Sequence, residues 1–116
     1  DPESALRKCV RLAPASAFLR RMLARVLVSR KQLDEAEELF RFAAQLEPRA
    51  SEHLLDLATF LAGFRPQQLD EALDMFTKAV ELDPEVRRTL AEMPHLEFLR
   101  GHPRFRALLI PDTSNE

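Results

Sequence analysis

The chain is poor in glycine and cysteine and has neither Trp nor Tyr. Its 116 residues include two glycines and one cysteine. A β-rich fold needs many tight turns, where glycine is the usual residue, so two glycines argue against such a fold. A single cysteine cannot form an internal disulfide, which is compatible with a reducing compartment. We therefore expect an all-α protein with a cytoplasmic location.

Long apolar runs are also missing. The longest runs extend over only a few residues, far short of the ~20 that a membrane-spanning helix needs. The formal net charge of −2 excludes a strong overall attraction to nucleic acid. With 46% hydrophobic and 31% charged residues, the composition is that of a folded, soluble domain. We expect neither a membrane nor a nucleic-acid partner.

Residues that could serve catalysis or metal binding occur only singly. His53, His95 and His102 form no H-x-x-x-H pattern, and Cys9 belongs to no Cys-x-x-Cys pattern. The two glycines stand apart in the sequence, so no glycine-rich phosphate loop is present. The sequence predicts surface or capping histidines and a buried packing thiol at Cys9. It predicts no metal, no cofactor and no active site, and we expect the chain not to be an enzyme.

Two nine-residue segments are near copies of each other. Gln-Leu-Asp-Glu-Ala-Glu-Glu-Leu-Phe begins at residue 32, and Gln-Leu-Asp-Glu-Ala-Leu-Asp-Met-Phe begins at residue 68. Each leads to a Leu-acid-Pro sequence, which ends at Pro48 and at Pro84, and a partial copy ends at Pro14. The three prolines lie 34 and 36 residues apart. This spacing indicates an internal repeat.

The repeated segments have the pattern of paired amphipathic helices. Small residues recur where helices would approach closely, and Leu and Phe recur at helical spacing between them. Acidic pairs follow Leu33 and Leu69, where the helix dipole favours them, and Pro48 and Pro84 disfavour helix at the residue before them. The pattern predicts a core formed by Leu23, Leu27, Ala36, Phe40, Ala43, Leu57, Ala58, Leu61, Ala72, Phe76 and Ala79.

These motifs resemble the tetratricopeptide-repeat (TPR) family, whose 34-residue unit contains helices A and B. Leu23-Ala24, Ala36, Phe40 and Pro48 match its pattern in residues 17–50. Leu57-Ala58, Ala72, Phe76 and Pro84 match it in residues 51–86, which carry two extra residues between the helices. The resemblance implies antiparallel helical hairpins stacked as a right-handed solenoid.

The remaining segments are assigned by their relation to these repeats. Residues 1–16 read as helix B of an incomplete repeat, and residues 87–110 as a degenerate repeat that caps the array. Together they make residues 1–110 a single domain, followed by a flexible polar tail at 111–116. Because a helix B without its helix A leaves an apolar face open, we expect a missing helix of a longer array or another chain to pack there.

The TPR resemblance also implies a concave groove lined by helix A. Its usual groove positions correspond here to Phe18, Arg21, Arg25, Val28, Ser29, Leu55 and Thr59. Arg21 and Arg25 are four residues apart, so they share a helix face and could together hold a carboxylate, although solvated charges are the alternative. Chaperone-binding TPR proteins place Lys and Asn at these two positions. Two arginines therefore do not predict chaperone-tail binding.

Charge distribution separates the possible functions. Residues 17–31 carry five basic residues and no acid, whereas residues 51–86 are predominantly acidic. The first hypothesis is an interaction scaffold that binds a protein or peptide, with an acidic group near the first repeat. The alternative is a regulatory or assembly domain of a larger enzyme whose catalytic part lies elsewhere. RNA binding is less favoured, because Glu52 and Asp56 follow where more basic residues are needed.

Overall fold

The structure is a computed structural model that describes residues 1–111. Over these residues the chain is helical without a β-strand, which confirms the all-α prediction. The predicted flexible tail at 111–116 falls, apart from the exposed Pro111, outside the described residues. Helices α1 to α7 span Pro2–Leu12, Ala17–Ser29, Leu33–Leu46, Ser51–Phe64, Leu69–Leu82, Val86–Glu92 and Pro103–Leu108. Two 3-10 turns span Pro66–Gln68 and Pro94–Leu99.

The helix ends lie where the sequence places its start and stop signals. Asp1 caps α1 by accepting a hydrogen bond from the backbone N–H of Glu3 at 3.3 Å. Helices α3 and α5 each begin with a leucine and two acids, so the acids lie in the first turn as predicted. Both helices end two residues before a proline. Local sequence therefore determines the length of these helices.

The two turns that join the long helices differ in length. Residues 30–32 connect α2 to α3. Lys31 has a φ of 64°, a left-handed backbone conformation that is common just after a helix although it is unfavourable for a residue with a β-carbon. Between α4 and α5 the two extra residues leave room for α4 to continue to Phe64 and for the first 3-10 turn. Both connections remain short enough for the helices that they join to pack along each other.

The helices pack chiefly in two pairs, α2 with α3 and α4 with α5. Helix α1 lies against α2, and α3 lies against α4, so neighbouring elements in sequence are neighbours in space. All eleven residues predicted for the core are buried, which confirms that prediction. The pattern of small and large apolar residues identified the packed faces of all four long helices.

The C-terminal segment covers α5. Helices α6 and α7 both contact α5, and Phe105 of α7 is buried; Leu96 and Leu99 of the second 3-10 turn are also buried in the core. The ring of Phe105 meets the ring of Phe76 edge-on, with centroids 5.9 Å apart. Aromatic pairs in this arrangement add to the stabilisation from burial. The segment thus covers apolar surface of α5, while its origin as a degenerate repeat stays a prediction.

Helix α1 is less buried than helices α2 to α5. None of its residues is fully buried, although Leu6 and Val10 are half-buried against the core. Cys9 is exposed, so the prediction of a buried packing thiol is wrong. The reason is that α1 packs chiefly against α2, and Cys9 lies outside that contact. The position that holds a buried alanine in α3 and α5 therefore faces solvent in α1.

Equivalent ion pairs join α1 to α3 and α3 to α5, the helices that the sequence repeat predicts to be of type B. Arg7 of α1 donates from Nη1 to Glu35 at 2.8 Å and from Nη2 at 2.9 Å. Arg41 of α3 makes the same two-pronged contact with Glu71 of α5, at 2.8 and 3.2 Å. The positions of the two arginines differ by 34 and those of the two glutamates by 36, as do the prolines. The sequence repeat is therefore accompanied by a repeated contact.

A second set of ion pairs also recurs, with the two arginines 35 residues apart and the two glutamates 34 residues apart. Arg30, which caps α2, donates to Glu3 of α1 at 3.2 Å. Arg65, which caps α4, donates to Glu37 of α3 at 2.8 Å. In both cases the arginine at the end of one helix reaches the preceding B-type helix near its start. These contacts link each helix pair to the one before it.

The repeated ion pairs change the acidity of the glutamates. Hydrogen bonds from Arg7 hold the pKa of Glu35 below its usual range, and those from Arg41 do the same for Glu71. A carboxylate whose pKa is lowered by folding stabilises the folded state above its unfolded pKa. That contribution is lost as the pH falls through the lowered, folded-state pKa. The ion pairs therefore predict a loss of stability in acid.

Replacing either Phe76 or Phe105 by alanine should lower the free energy of unfolding by ~3–5 kcal/mol, because each ring is fully buried. Phe98→Ala is the matched control, since this ring belongs to the same C-terminal segment but is 59% exposed; its cost should stay within about 1 kcal/mol. Denaturant unfolding measures all three variants. Equal losses for Phe105→Ala and Phe98→Ala would contradict the packing of α7 on α5.

Removing the guanidinium of Arg41 should reduce the loss of stability in acid. In the wild type the free energy of unfolding should fall as the pH is lowered from about 5 to about 2, and Arg41→Met should show a smaller fall, because Glu71 loses its partner. Arg88→Met is the control, since Arg88 is exposed and makes no ion pair within residues 1–111. Denaturant unfolding across this pH range measures the free energy of unfolding of both variants. Identical pH profiles for Arg41→Met and Arg88→Met would refute the prediction.

Candidate functional site

A groove lies between α2, α4 and the second 3-10 turn, and we call it the α2/α4 groove. It encloses about 540 Å³ and is open to solvent along one side. Pockets of this size accommodate several side chains of a ligand. Its walls are formed by Arg25 and Val28 of α2, by Asp56, Thr59, Phe60, Gly63 and Phe64 of α4, and by Met93, His95 and Phe98, with Phe40 of α3 beneath.

Three residues that line the groove have the spacing of the sequence repeat. Arg25, Thr59 and His95 are separated by 34 and 36 residues, the same intervals as the prolines. Val28 and Phe98 also line the groove, and their separation in the sequence equals the sum of these two intervals. Arg25, Val28 and Thr59 were predicted from the sequence, whereas His95 and Phe98 were not. Continuing the repeat spacing beyond Pro84 would have found both.

Aromatic rings form the apolar part of the groove. The ring of Phe60 lies 5.6 Å from that of Phe40 and 5.3 Å from that of Phe64, measured between centroids. Phe40 and Phe60 are buried, whereas Phe64 is 38% and Phe98 59% exposed. Large exposed aromatic rings beside a groove are a frequent feature of binding surfaces. The groove therefore offers apolar contact area to a ligand.

Arg21 is engaged within the chain. Its Nη1 donates to the carboxylate of Asp56 at 3.0 Å, and only 13% of its side chain is exposed. Its Nε is buried and has no hydrogen-bond partner among residues 1–111. The ion pair joins α2 to α4 at the edge of the groove. Arg21 was predicted to bind a ligand carboxylate together with Arg25. Its guanidinium is instead already paired with Asp56.

Arg25 has a different environment from Arg21. It is exposed, lines the groove and makes no hydrogen bond or ion pair within the described residues 1–111. The neighbouring carboxylate, that of Asp56, is taken by Arg21. A guanidinium with free donors can bind a carboxylate of a ligand through two parallel hydrogen bonds. Of the two arginines, Arg25 is therefore the one available to a ligand.

Three other residues predicted for the groove, Phe18, Ser29 and Leu55, are not part of its wall. Phe18 is 56% exposed, with the guanidinium carbon of Arg21 5.7 Å from its ring centroid. The hydroxyl of Ser29 donates to the backbone carbonyl of Val26 at 2.6 Å. Leu55 is half-buried beside the core, and its carbonyl accepts the Thr59 hydroxyl at 2.8 Å. Of these side chains the structure brings only Thr59 to the groove.

The three histidines have three different environments. His53 is buried, so the prediction of a surface or capping role is wrong for it. Its Nε2 lies 2.7 Å from the carboxylate of Glu47, the residue that caps the C-terminal end of α3. His102 accepts a hydrogen bond from the backbone N–H of Arg104 and caps α7, as predicted. His95 is exposed in the groove.

Over residues 1–111 no three His, Cys, Asp or Glu side chains are grouped so that they could hold a metal ion. In the same stretch no helix has the length and apolar character required to cross a bilayer. Comparison with known proteins found no family model and no curated protein that matches the chain.

The different environments of the two arginines predict different effects on stability. Arg21→Glu should lower the free energy of unfolding by ~1–3 kcal/mol, because it places a second carboxylate against half-buried Asp56. Arg25→Glu should change it by less than about 0.5 kcal/mol, since Arg25 is exposed and unpaired in the described chain. Denaturant unfolding tests this, and Asp56→Arg should restore part of the loss in the Arg21→Glu background. Equal stability of the two single variants would contradict the ion pair.

Proposed function

We propose that the chain is an array of TPR hairpins acting as a non-catalytic module that binds a protein or peptide segment in the α2/α4 groove. The pairing of α2 with α3 and of α4 with α5 supports the hairpin architecture. The recurrence of the Arg7–Glu35 contact as Arg41–Glu71 supports the repeat.

The observation that carries the binding role is the combination of an unpaired guanidinium with exposed aromatic rings in one groove. Arg25 lies on one wall, and Phe64 and Phe98 lie on others. A protein segment supplies both complementary groups, a carboxylate for the arginine and apolar side chains for the rings. Because Asp56 is neutralised by Arg21, the only unpaired charge on α2 and α4 that lines the groove is positive.

A randomised peptide library displayed against the wild-type protein tests this function. We expect the enriched peptides to combine an acidic residue with an apolar one. Hydrogen bonds to charged groups contribute ~1.5–3 kcal/mol, so Arg25→Glu should weaken binding of the enriched peptides about tenfold or more. Phe98→Ala should also weaken it. Raised salt should reduce the affinity of the wild type, since the carboxylate contact is partly screened.

Two controls separate loss of binding from loss of folding. Arg49→Glu makes the same charge change at an exposed arginine that does not line the groove and has no ion-pair partner within residues 1–111; it should leave the affinity unchanged. Circular dichroism and unfolding establish that each variant is folded. The proposal fails if no peptide is enriched, or if enriched peptides bind the folded Arg25→Glu and Phe98→Ala variants as tightly as the wild type.

A further inference from the structure

Two side chains that can carry positive charge line the α2/α4 groove. Arg25 belongs to α2, the first element along the groove, and His95 belongs to the second 3-10 turn, the last element. Their separation in the sequence is that of two repeats, with Thr59 of α4 between them in chain order. His95 is exposed and makes no hydrogen bond within the described residues. Its ring is therefore available to a ligand in the groove.

Within residues 1–111, no carboxylate that lines the groove is without an ion-pair partner. Asp56 of α4 is held by Arg21 at 3.0 Å. Glu97, in the same 3-10 turn as His95, lies 3.5 Å from Nε of Arg100 and does not line the groove. Arg25 is the charged group that α2 contributes. Protonation of His95 would thus add a second positive charge to a groove that already holds one.

We infer that the α2/α4 groove selects acidic protein segments through Arg25 and His95 together, and binds them more tightly at mildly acidic pH. Histidine is the side chain that ordinarily changes its charge between pH 5 and 8, whereas arginine stays charged throughout. Arg25 therefore provides a constant contact, and His95 provides one that strengthens as the pH falls. This inference rests on the proposed binding function.

The apolar lining of the groove defines the rest of the ligand. Met93 and Phe98 come from the same segment as His95, and Phe64 contributes a half-exposed ring from α4. An apolar side chain flanked by acids would fill the space beside these rings while its carboxylates meet Arg25 and His95. The ligand class is thus a protein segment with an aromatic or long aliphatic residue between acidic residues.

A pair of synthetic peptides tests the inference directly. The first carries Phe between glutamates, with both termini blocked, and the second has glutamine at each glutamate. Titrations at constant ionic strength compare about pH 7.5 with about pH 5.5, where peptide glutamates remain largely ionised. The wild type should bind the acidic peptide about threefold to fivefold more tightly at the lower pH, the range for an exposed ion pair. The glutamine peptide should show no such gain.

Variants assign the effect to His95. His95→Gln should abolish the pH dependence and keep the affinity of about pH 7.5, while Arg25→Gln should weaken binding at both pH values and keep the dependence. His102→Asn is the control, because asparagine can still cap α7 but does not titrate; it should behave as the wild type. Binding that is equal at both pH values, or a pH dependence that survives His95→Gln, overturns this inference alone. Absence of binding at both pH values also overturns this inference, whereas the proposed function fails only if the peptide library yields no enriched peptide or if the enriched peptides bind the groove variants as tightly as the wild type.

Discussion

Close approach of neighbouring helices is the constraint on which the rest of the structure depends. Six alanines with no exposed surface lie at the contacts between the long helices. A methyl side chain lets two helix backbones come near the lower end of the usual 8–10 Å separation. The intervening leucines and phenylalanines can then fill the space at native packing density. A larger residue at any of these positions would force the helices apart or strain their neighbours.

The recurring ion pairs depend on this fixed separation. An arginine of one B-type helix reaches a glutamate of the next only because the intervening helix holds the two at the same distance each time. The contacts Arg7–Glu35 and Arg41–Glu71 have the same two-pronged geometry for this reason. Both pairs are only partly shielded from water, so each contributes modestly to stability. Their main structural effect is to link successive helix pairs in a single register.

The groove is a consequence of the same packing. Helices α2 and α4 each present one face to the core and leave an adjacent face open, and the C-terminal segment closes the far end with Met93 and Phe98. The Arg21–Asp56 ion pair crosses from α2 to α4 at the groove edge, which removes one positive and one negative charge from the surface available to a ligand. The charge of the groove is therefore determined by an internal pairing as much as by composition.

The sequence by itself determined the helical elements, their ends and the faces that pack. Periodic small and large apolar residues, acids in first turns and prolines after helices act within a few residues of each other, so their effects can be read locally. Only the tertiary structure decided which neighbour covers each face. Cys9 is exposed because α1 packs chiefly against α2 and Cys9 lies outside that contact, and Arg21 and Arg25 differ because Asp56, 35 residues beyond Arg21, pairs with only one of them. Contacts between residues so far apart depend on how helices are placed in space, which the pattern of a single helix does not contain.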